Sequence, residues 1–282
     1  MASVITGALA VLLGSAALVA QATVDADNTY ANVGALMVWR VDSSGKPVEL
    51  RGFASGTLIR PRVMLTAGHF TAPVKALGEI PPTIRIFASF SPTDARDPST
   101  WIPVIALATH PSMPHCPPPP KCDPTDEILV APLEPGIADV GLVFLERAPA
   151  HVEPAELATP GTLERSEGAH STIVGYGLTS PGRALGVAVD AWPWDGKRRI
   201  RASTVRKIVD DTWGLWSIPS YVCSGDSGGG IFLHAPSGRT AERLVANVSD
   251  GGQDCRRHNN NNRLDTRAIQ AWIATVAESF SR

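Results

Sequence analysis

The stretch Cys223-Ser224-Gly225-Asp226-Ser227-Gly228-Gly229 carries the strongest chemical signal in the chain. A serine hydroxyl is a weak nucleophile until a base removes its proton as it attacks. Glycines around it let backbone N–H groups turn toward a developing negative oxygen, because glycine tolerates backbone angles that other residues resist. A plain glycine-rich turn is the bland reading. Gly-Asp-Ser-Gly-Gly is far more specific than an isolated Gly-x-Ser.

A nucleophile needs a base, and the chain has seven histidines. His110, His115, His151, His170 and His258 fall in loop-like stretches, where histidines are usually surface groups. His234 lies only a few residues past Ser227 on the same segment. His69 closes the apolar run Val63-Met64-Leu65-Thr66-Ala67-Gly68-His69, and a strand that delivers a histidine to the edge of a core suits a positioned imidazole. A third group, a carboxylate, is needed to hold the ring in one tautomer. Asp139 opens Asp139-Val140-Gly141-Leu142-Val143-Phe144-Leu145, and an acid so flanked is expected to be buried and therefore partnered.

The elements that must position these groups are short. Strand-like runs occur at 34–41, 56–65, 83–90, 140–145, 171–176, 230–233 and 244–248, each bounded by turn residues. Only 266–280 has helical spacing, with Ala268, Ile269, Trp272, Ile273 and Val276 on one face. The proline-dense stretch 111–135 reads as an irregular excursion, since proline cannot donate to a sheet ladder. Arg256–Asn262 reads as a solvated polar loop. With 25 Gly and 24 Pro and no alternation of strands with long helices, the fold class is all-β: two sheet units and a carboxyl-terminal helix.

Apolar residues make up 44% and charged residues 18%, which suits a folded domain and not a disordered chain. The formal net charge of −2 gives no electrostatic reason to expect nucleic acid or an acidic membrane. Residues 4–20 are uncharged and are followed by Ala20-Gln21-Ala22, the small-x-small pattern of a signal cleavage site, so 1–22 is expected to be a signal peptide. A membrane anchor is the competing reading. After cleavage the chain is expected to be exported, extracellular or periplasmic, with no lasting membrane association. Four cysteines allow three pairings. Spacing favours Cys116 with Cys122 across the prolines and Cys223 with Cys255. Zinc on His110, His115, Cys116 and Cys122 is disfavoured by the intervening prolines and the oxidising destination.

Taken together, the three blocks resemble the signatures of the chymotrypsin–trypsin family of serine peptidases. Leu65-Thr66-Ala67-Gly68-His69, Asp139-Val140-Gly141-Leu142 and Gly225-Asp226-Ser227-Gly228-Gly229 are similar to the family's histidine, aspartate and serine blocks, in the family's order. The interval from His69 to Asp139 is long for the family, and the proline-rich excursion accounts for the excess. Weaker likenesses at 54–59, 174–177 and 248–251 extend the resemblance from about Val33 to the terminal helix, within an expected peptidase domain at 23–282. It implies two six-stranded antiparallel barrels, at about 33–150 and about 165–262, then the helix at about 266–280. It implies a secreted endopeptidase with Ser227 as nucleophile, His69 as base, Asp139 as its partner, and the amides of Gly225 and Ser227 as the oxyanion hole. Ser249 would hydrogen-bond Asp139, Gly251 would leave room for an extended substrate, and Cys223–Cys255 would tie the walls of the specificity pocket. Polypeptide substrates and protein inhibitors are the implied partners, with no metal and no cofactor.

The chain also departs from the family. A common disulfide is replaced by Ala54 and Phe70, expected to pack as an apolar pair. The pocket-floor position is Tyr221, so no carboxylate is there to select Arg or Lys. Arg256-Arg257-His258, otherwise surface, offers an acidic preference as an alternative. Asp226, whose charge the family commonly neutralises with a new amino terminus, would meet the terminus freed by cleavage after Ala22. Asn247-Val248-Ser249 fits a glycosylation sequon, but lies in an expected core strand. An α/β-hydrolase reading of Gly-x-Ser-x-Gly fails for want of alternating strands and helices. A catalytically silent peptidase-like binding domain is the remaining rival. With Tyr221 at the pocket floor, chromogenic peptides ending in Ala or Leu are expected to be hydrolysed faster than those ending in Arg. The reverse order would overturn that reading.

Overall fold

The computed structural model describes residues 22–75, 80–113, 137–179, 193–208, 215–219, 222–234, 242–251, 255 and 258–280. In chain order the first strands are β1 (Thr23–Val24), β2 (Val33–Val41), β3 (Pro47–Arg60) and β4 (Val63–Thr66). Helix α1 (Gly68–Lys75) follows, then β5 (Ile84–Ser89), β6 (Ile102–Thr109) and β7 (Gly141–Leu145). The second half holds β8 (His170–Gly175), β9 (Arg199–Thr204), β10 (Lys207–Ile208), β11 (Leu215–Pro219) and β12 (Gly230–Leu233). It ends with β13 (Arg243–Gly251), β14 (His258–Arg263) and helix α2 (Arg267–Phe280).

Strands β2, β3, β4, β7, β6 and β5 close in that order into a barrel. The later strands form one antiparallel sheet in the order β1-β9-β8-β12-β13-β14-β11-β10, whose two outermost members are only two residues long. Its six longer strands begin with β9 and finish with β11, and those two approach each other. Two six-stranded antiparallel units with a carboxyl-terminal helix are the architecture the sequence leads one to expect.

Side chains alternate across a strand, and here both faces are buried. On β2, Val33, Ala35 and Met37 join the core between the two units, while Leu36 and Val38 fill the first barrel. The same split places Leu142 and Phe144 between the units and Val143 and Leu145 inside the barrel. That is why these strands read as continuous apolar runs. Ala54 and Phe70 are both buried in the barrel core, so an apolar pair does stand where a bridge might have been. Ile173, Ile231, Val245 and Val248 form the core of the second sheet.

The two ends of the described chain cross between the units. β1 pairs with β9, Asp25 forms a buried ion pair with Arg198 at 2.9 Å, and the Tyr30 ring packs on Phe232 with centroids 5.0 Å apart. Helix α2 begins with the Thr266 hydroxyl accepting from the Ile269 N–H and buries Ile269, Ile273 and Ala277. Each of those isoleucines contributes about 1.5–3 kcal/mol by burial. The helix returns to the first barrel, where Phe280 stacks on Phe144 at 4.1 Å and Trp272 meets the His110 ring edge-on at 5.1 Å. Among the described residues, no helix is long and apolar enough to cross a membrane.

Several local expectations are corrected. The 56–65 run is two strands with a turn at Pro61-Arg62. His69 does not end a strand but lies in the first turn of α1, a short helix with no apolar periodicity to announce it. The supposed polar loop at 256–262 is strand β14 from His258 onward, with Asn261 and Asn262 fully buried. Strand β9 escaped notice because alternate positions are arginines whose charges are met inside the protein, Arg199 by Asp195 and Arg201 by Asp226. Asn247 is fully buried, so its sequon faces the core. The expected leader at 1–22, apart from Ala22, and the Cys116–Cys122 pair lie outside the described residues.

Burial holds the His110 imidazole below its ordinary pKa of 6.5. The fold therefore favours the neutral ring, and stability is full above the unfolded value and lost as pH falls through it toward the folded one. The melting temperature is expected to drop between about pH 7.5 and 5, and His110→Gln to make that drop shallower. Parallel curves for the two proteins would remove His110 as the cause.

Candidate active site

The end of β4 and the start of α1 bring His69 against Asp139, in the residues just before β7. The His69 backbone N–H donates to Asp139 Oδ1 at 2.7 Å, and His69 Nδ1 lies 2.8 Å from Oδ2. The Ser249 hydroxyl, from β13 of the second sheet, donates to the same Oδ2 at 2.6 Å. Asp139 is fully buried and His69 is 4% exposed. Burial by itself would raise the Asp139 carboxyl, but the facing His69 charge and the hydrogen bonds from His69 and Ser249 outweigh it. The net position is below the ordinary carboxylate range. A carboxylate held ionised in this way keeps the proton of a neutral imidazole on Nδ1 and makes Nε2 the basic nitrogen.

The serine segment is shaped by two left-handed glycines. Gly225 has φ of 92°, and a Cβ there would meet the Phe53 ring at 2.1 Å, so the bare backbone lies directly on that ring. Phe53 is itself stacked on Trp194, with centroids 4.4 Å apart. Gly228 has φ of 80°, and a Cβ there would fall 2.2 Å from Thr66 Oγ1 and 2.7 Å from the Ala67 nitrogen. Ser227 is thus carried beside the turn that bears His69. From the other side, Gly228 N–H donates to Val248 O at 2.7 Å, next to Ser249. Ser55 on β3 anchors the segment twice, its N–H to Ser227 O at 2.9 Å and its hydroxyl to Gly225 O at 2.8 Å. Among the described residues, the Gly225 and Ser227 amides have no hydrogen-bond partner. These are the two donors the sequence singles out for a negative oxygen.

Asp226 settles a different question. It is fully buried, and its carboxylate accepts from the Gly177 amide at 2.9 Å, the Cys223 amide at 2.9 Å and Arg201 Nη1 at 3.1 Å. Arg201 Nη2 lies 3.0 Å from the second oxygen. The expected neutralisation by a freed terminus at Thr23 is therefore corrected. Thr23 is exposed and paired with Ile200 on β9, and the charge beside Asp226 comes from Arg201. No motif marks Arg201. The signal that could have found it is a lone arginine alternating with β-formers in Arg199-Ile200-Arg201-Ala202-Ser203.

Of the substrate-binding expectations, Ser249 contacts Asp139 as described, and Gly251 ends β13 opposite Asn259. Tyr221, Arg256 and Arg257 lie outside the described residues. Cys223 and Cys255 form a disulfide. Sequence reasoning missed Arg201, Asn247 and Asn262. The last two bind the Asp139 peptide through their side-chain amides.

No known family profile matches the chain, and no curated protein matches it. Among solved structures the fold is similar to that of human heparin binding protein. The TM-score is 0.57 at 15% identity, over 91% of this chain and 96% of the other. At that identity the likeness establishes the chymotrypsin-like fold alone.

Removing one member of a buried ion pair typically costs about 3–5 kcal/mol, because the other charge stays buried without a partner. Arg201→Met is expected to destabilise the protein by about that amount, and a second change, Asp226→Asn, to recover part of the loss. A denaturant double-mutant cycle checks this. Additive effects would mean that the two groups do not compensate each other.

Proposed function

We propose that the protein is an exported serine endopeptidase acting through an acyl-enzyme. The observation that carries this reading is the buried Asp139 carboxylate, which holds His69 Nδ1 at 2.8 Å while also engaged by Ser249. In the proposed mechanism His69 takes the Ser227 proton as the hydroxyl attacks the peptide carbonyl. The amides of Gly225 and Ser227 receive the oxyanion. His69⁺, stabilised by Asp139, then protonates the leaving amine, and water repeats the sequence in reverse to release the acyl group. An extended polypeptide would lie along 249–251, with Tyr221 limiting the pocket to uncharged side chains. The Cys223–Cys255 bond suits an oxidising compartment.

The rival is a silent domain of the same fold kept for binding. The structural neighbour is named for heparin, but three arginines of β9 and its approach are turned to acids of this protein. Arg198, Arg199 and Arg201 are paired with Asp25, Asp195 and Asp226.

A fluorophosphonate should label the purified protein at Ser227, and Ser227→Ala should abolish labelling. His69→Ala should slow peptide hydrolysis by about 10⁴-fold or more. A folded protein that neither labels nor cleaves peptides would assign it to the binding class. Ester cleavage without peptide cleavage would point to an esterase.

A further inference from the structure

Asp139 stands just outside β7, so no sheet ladder satisfies its own peptide groups. Ladder pairing of that strand begins at Gly141. Yet Asp139 is fully buried, and a buried N–H or C=O without a partner is costly. Both partners come from the second sheet. The Asp139 N–H donates to Asn262 Oδ1 at 3.0 Å, and its carbonyl accepts from Asn247 Nδ2 at 3.1 Å.

Asn247 and Asn262 are direct register partners on β13 and β14. Both are fully buried. Around Asn247, residues Leu244, Val245, Ala246 and Val248 are apolar and buried. An apolar side chain there would add to stability, whereas a buried amide costs free energy unless it is hydrogen-bonded. Asn262 is fully used, since its Nδ2 donates to Arg263 O at 3.0 Å and turning the amide over would lose both bonds. Asn247 is not. Its Oδ1 is buried without a hydrogen bond among the described residues. The amide tolerates that deficit in an orientation that keeps Nδ2 on the Asp139 carbonyl. Two residues further along β13, Ser249 reaches the carboxylate itself.

We propose that Asn247 and Asn262 are positioning residues, a cross-strand amide pair from the second sheet that grips the Asp139 peptide at its N–H and its C=O and so aims the carboxylate at His69. This assignment rests on the hydrolytic reading of the site. With the backbone held on both sides, rotations about the Asp139 Cα–Cβ and Cβ–Cγ bonds are the remaining freedoms, and His69 and Ser249 take them up. The hydrogen bonds of both asparagines reach Asp139, and each acts through it.

The test uses the full chain with Asn262→Ala and Asn247→Ala, read by NMR titration of the His69 ring, by peptide kinetics and by thermal melting. Loosening the peptide lets the carboxylate drift from the ring, so the His69 midpoint should fall by about half a pH unit or more. The kcat should fall by about tenfold with KM changed less than about twofold, and the acid limb of kcat/KM should move with the ring. Asn262→Ser, which keeps an acceptor for the Asp139 N–H, should restore part of both. Leucine, which has the same heavy-atom branching as asparagine, replaces alanine if an alanine variant does not fold, and the same readings apply. Folded variants that melt lower but keep the wild-type His69 midpoint would overturn the proposal and leave the amides a purely structural role. The ring titration needs no turnover. If the protein proved not to be a hydrolase, the grip on Asp139 would still be decided separately.

Discussion

The structure is organised around one buried negative charge. Asp139 is an ionised group with no access to water, lodged where the first barrel meets the second sheet. Taking a carboxylate out of water is worth several kcal/mol of penalty unless donors replace the lost solvent. Those donors come from distant parts of the chain: the backbone and ring of His69 from one unit, the hydroxyl of Ser249 from the other. The charge can be buried only where both units present their donors together. The need to solvate Asp139 internally therefore also ties the units to each other.

A second buried carboxylate, Asp226, does the same for the serine segment. Arg201 and two backbone amides hold it, while Ser55 pulls the neighbouring carbonyls of Gly225 and Ser227 toward the first barrel. The Gly225 and Ser227 N–H groups belong to the preceding peptides, whose carbonyls, those of Ser224 and Asp226, accept from the Leu178 and Gly229 N–H groups. In a trans peptide N–H and C=O point opposite ways, so those carbonyl bonds turn the two amides the other way. Phe53, stacked on Trp194, sets how closely Gly225 can approach.

The parts legible in the sequence are those whose reasons lie among close neighbours. Ser227 is announced by the glycines beside it, Asp139 by the apolar run it opens, and α2 by its period. Arg201, Asn247 and Asn262 are different. Each is a polar residue on a strand, and its reason for being there is a group 25 or more positions away. Hydropathy reads such strands as loops, and β14, with four successive asparagines, reads as surface. The helix carrying His69 was hidden for another cause. It is a single eight-residue element with Pro73 inside it, too short to show a repeating face.

The crossing of the two ends has a mechanical meaning. The described chain starts bound to the second unit through Asp25 and Arg198 and finishes with Phe280 on the first. Each half is therefore held by a strap belonging to the other, like a parcel tied at both corners. A hinge that parted the halves would have to tear a buried ion pair or peel a helix. In the proposed peptidase the two halves should keep a set separation, and adaptation on docking should fall to the polypeptide substrate, which must arrive already extended or surrender its freedom there.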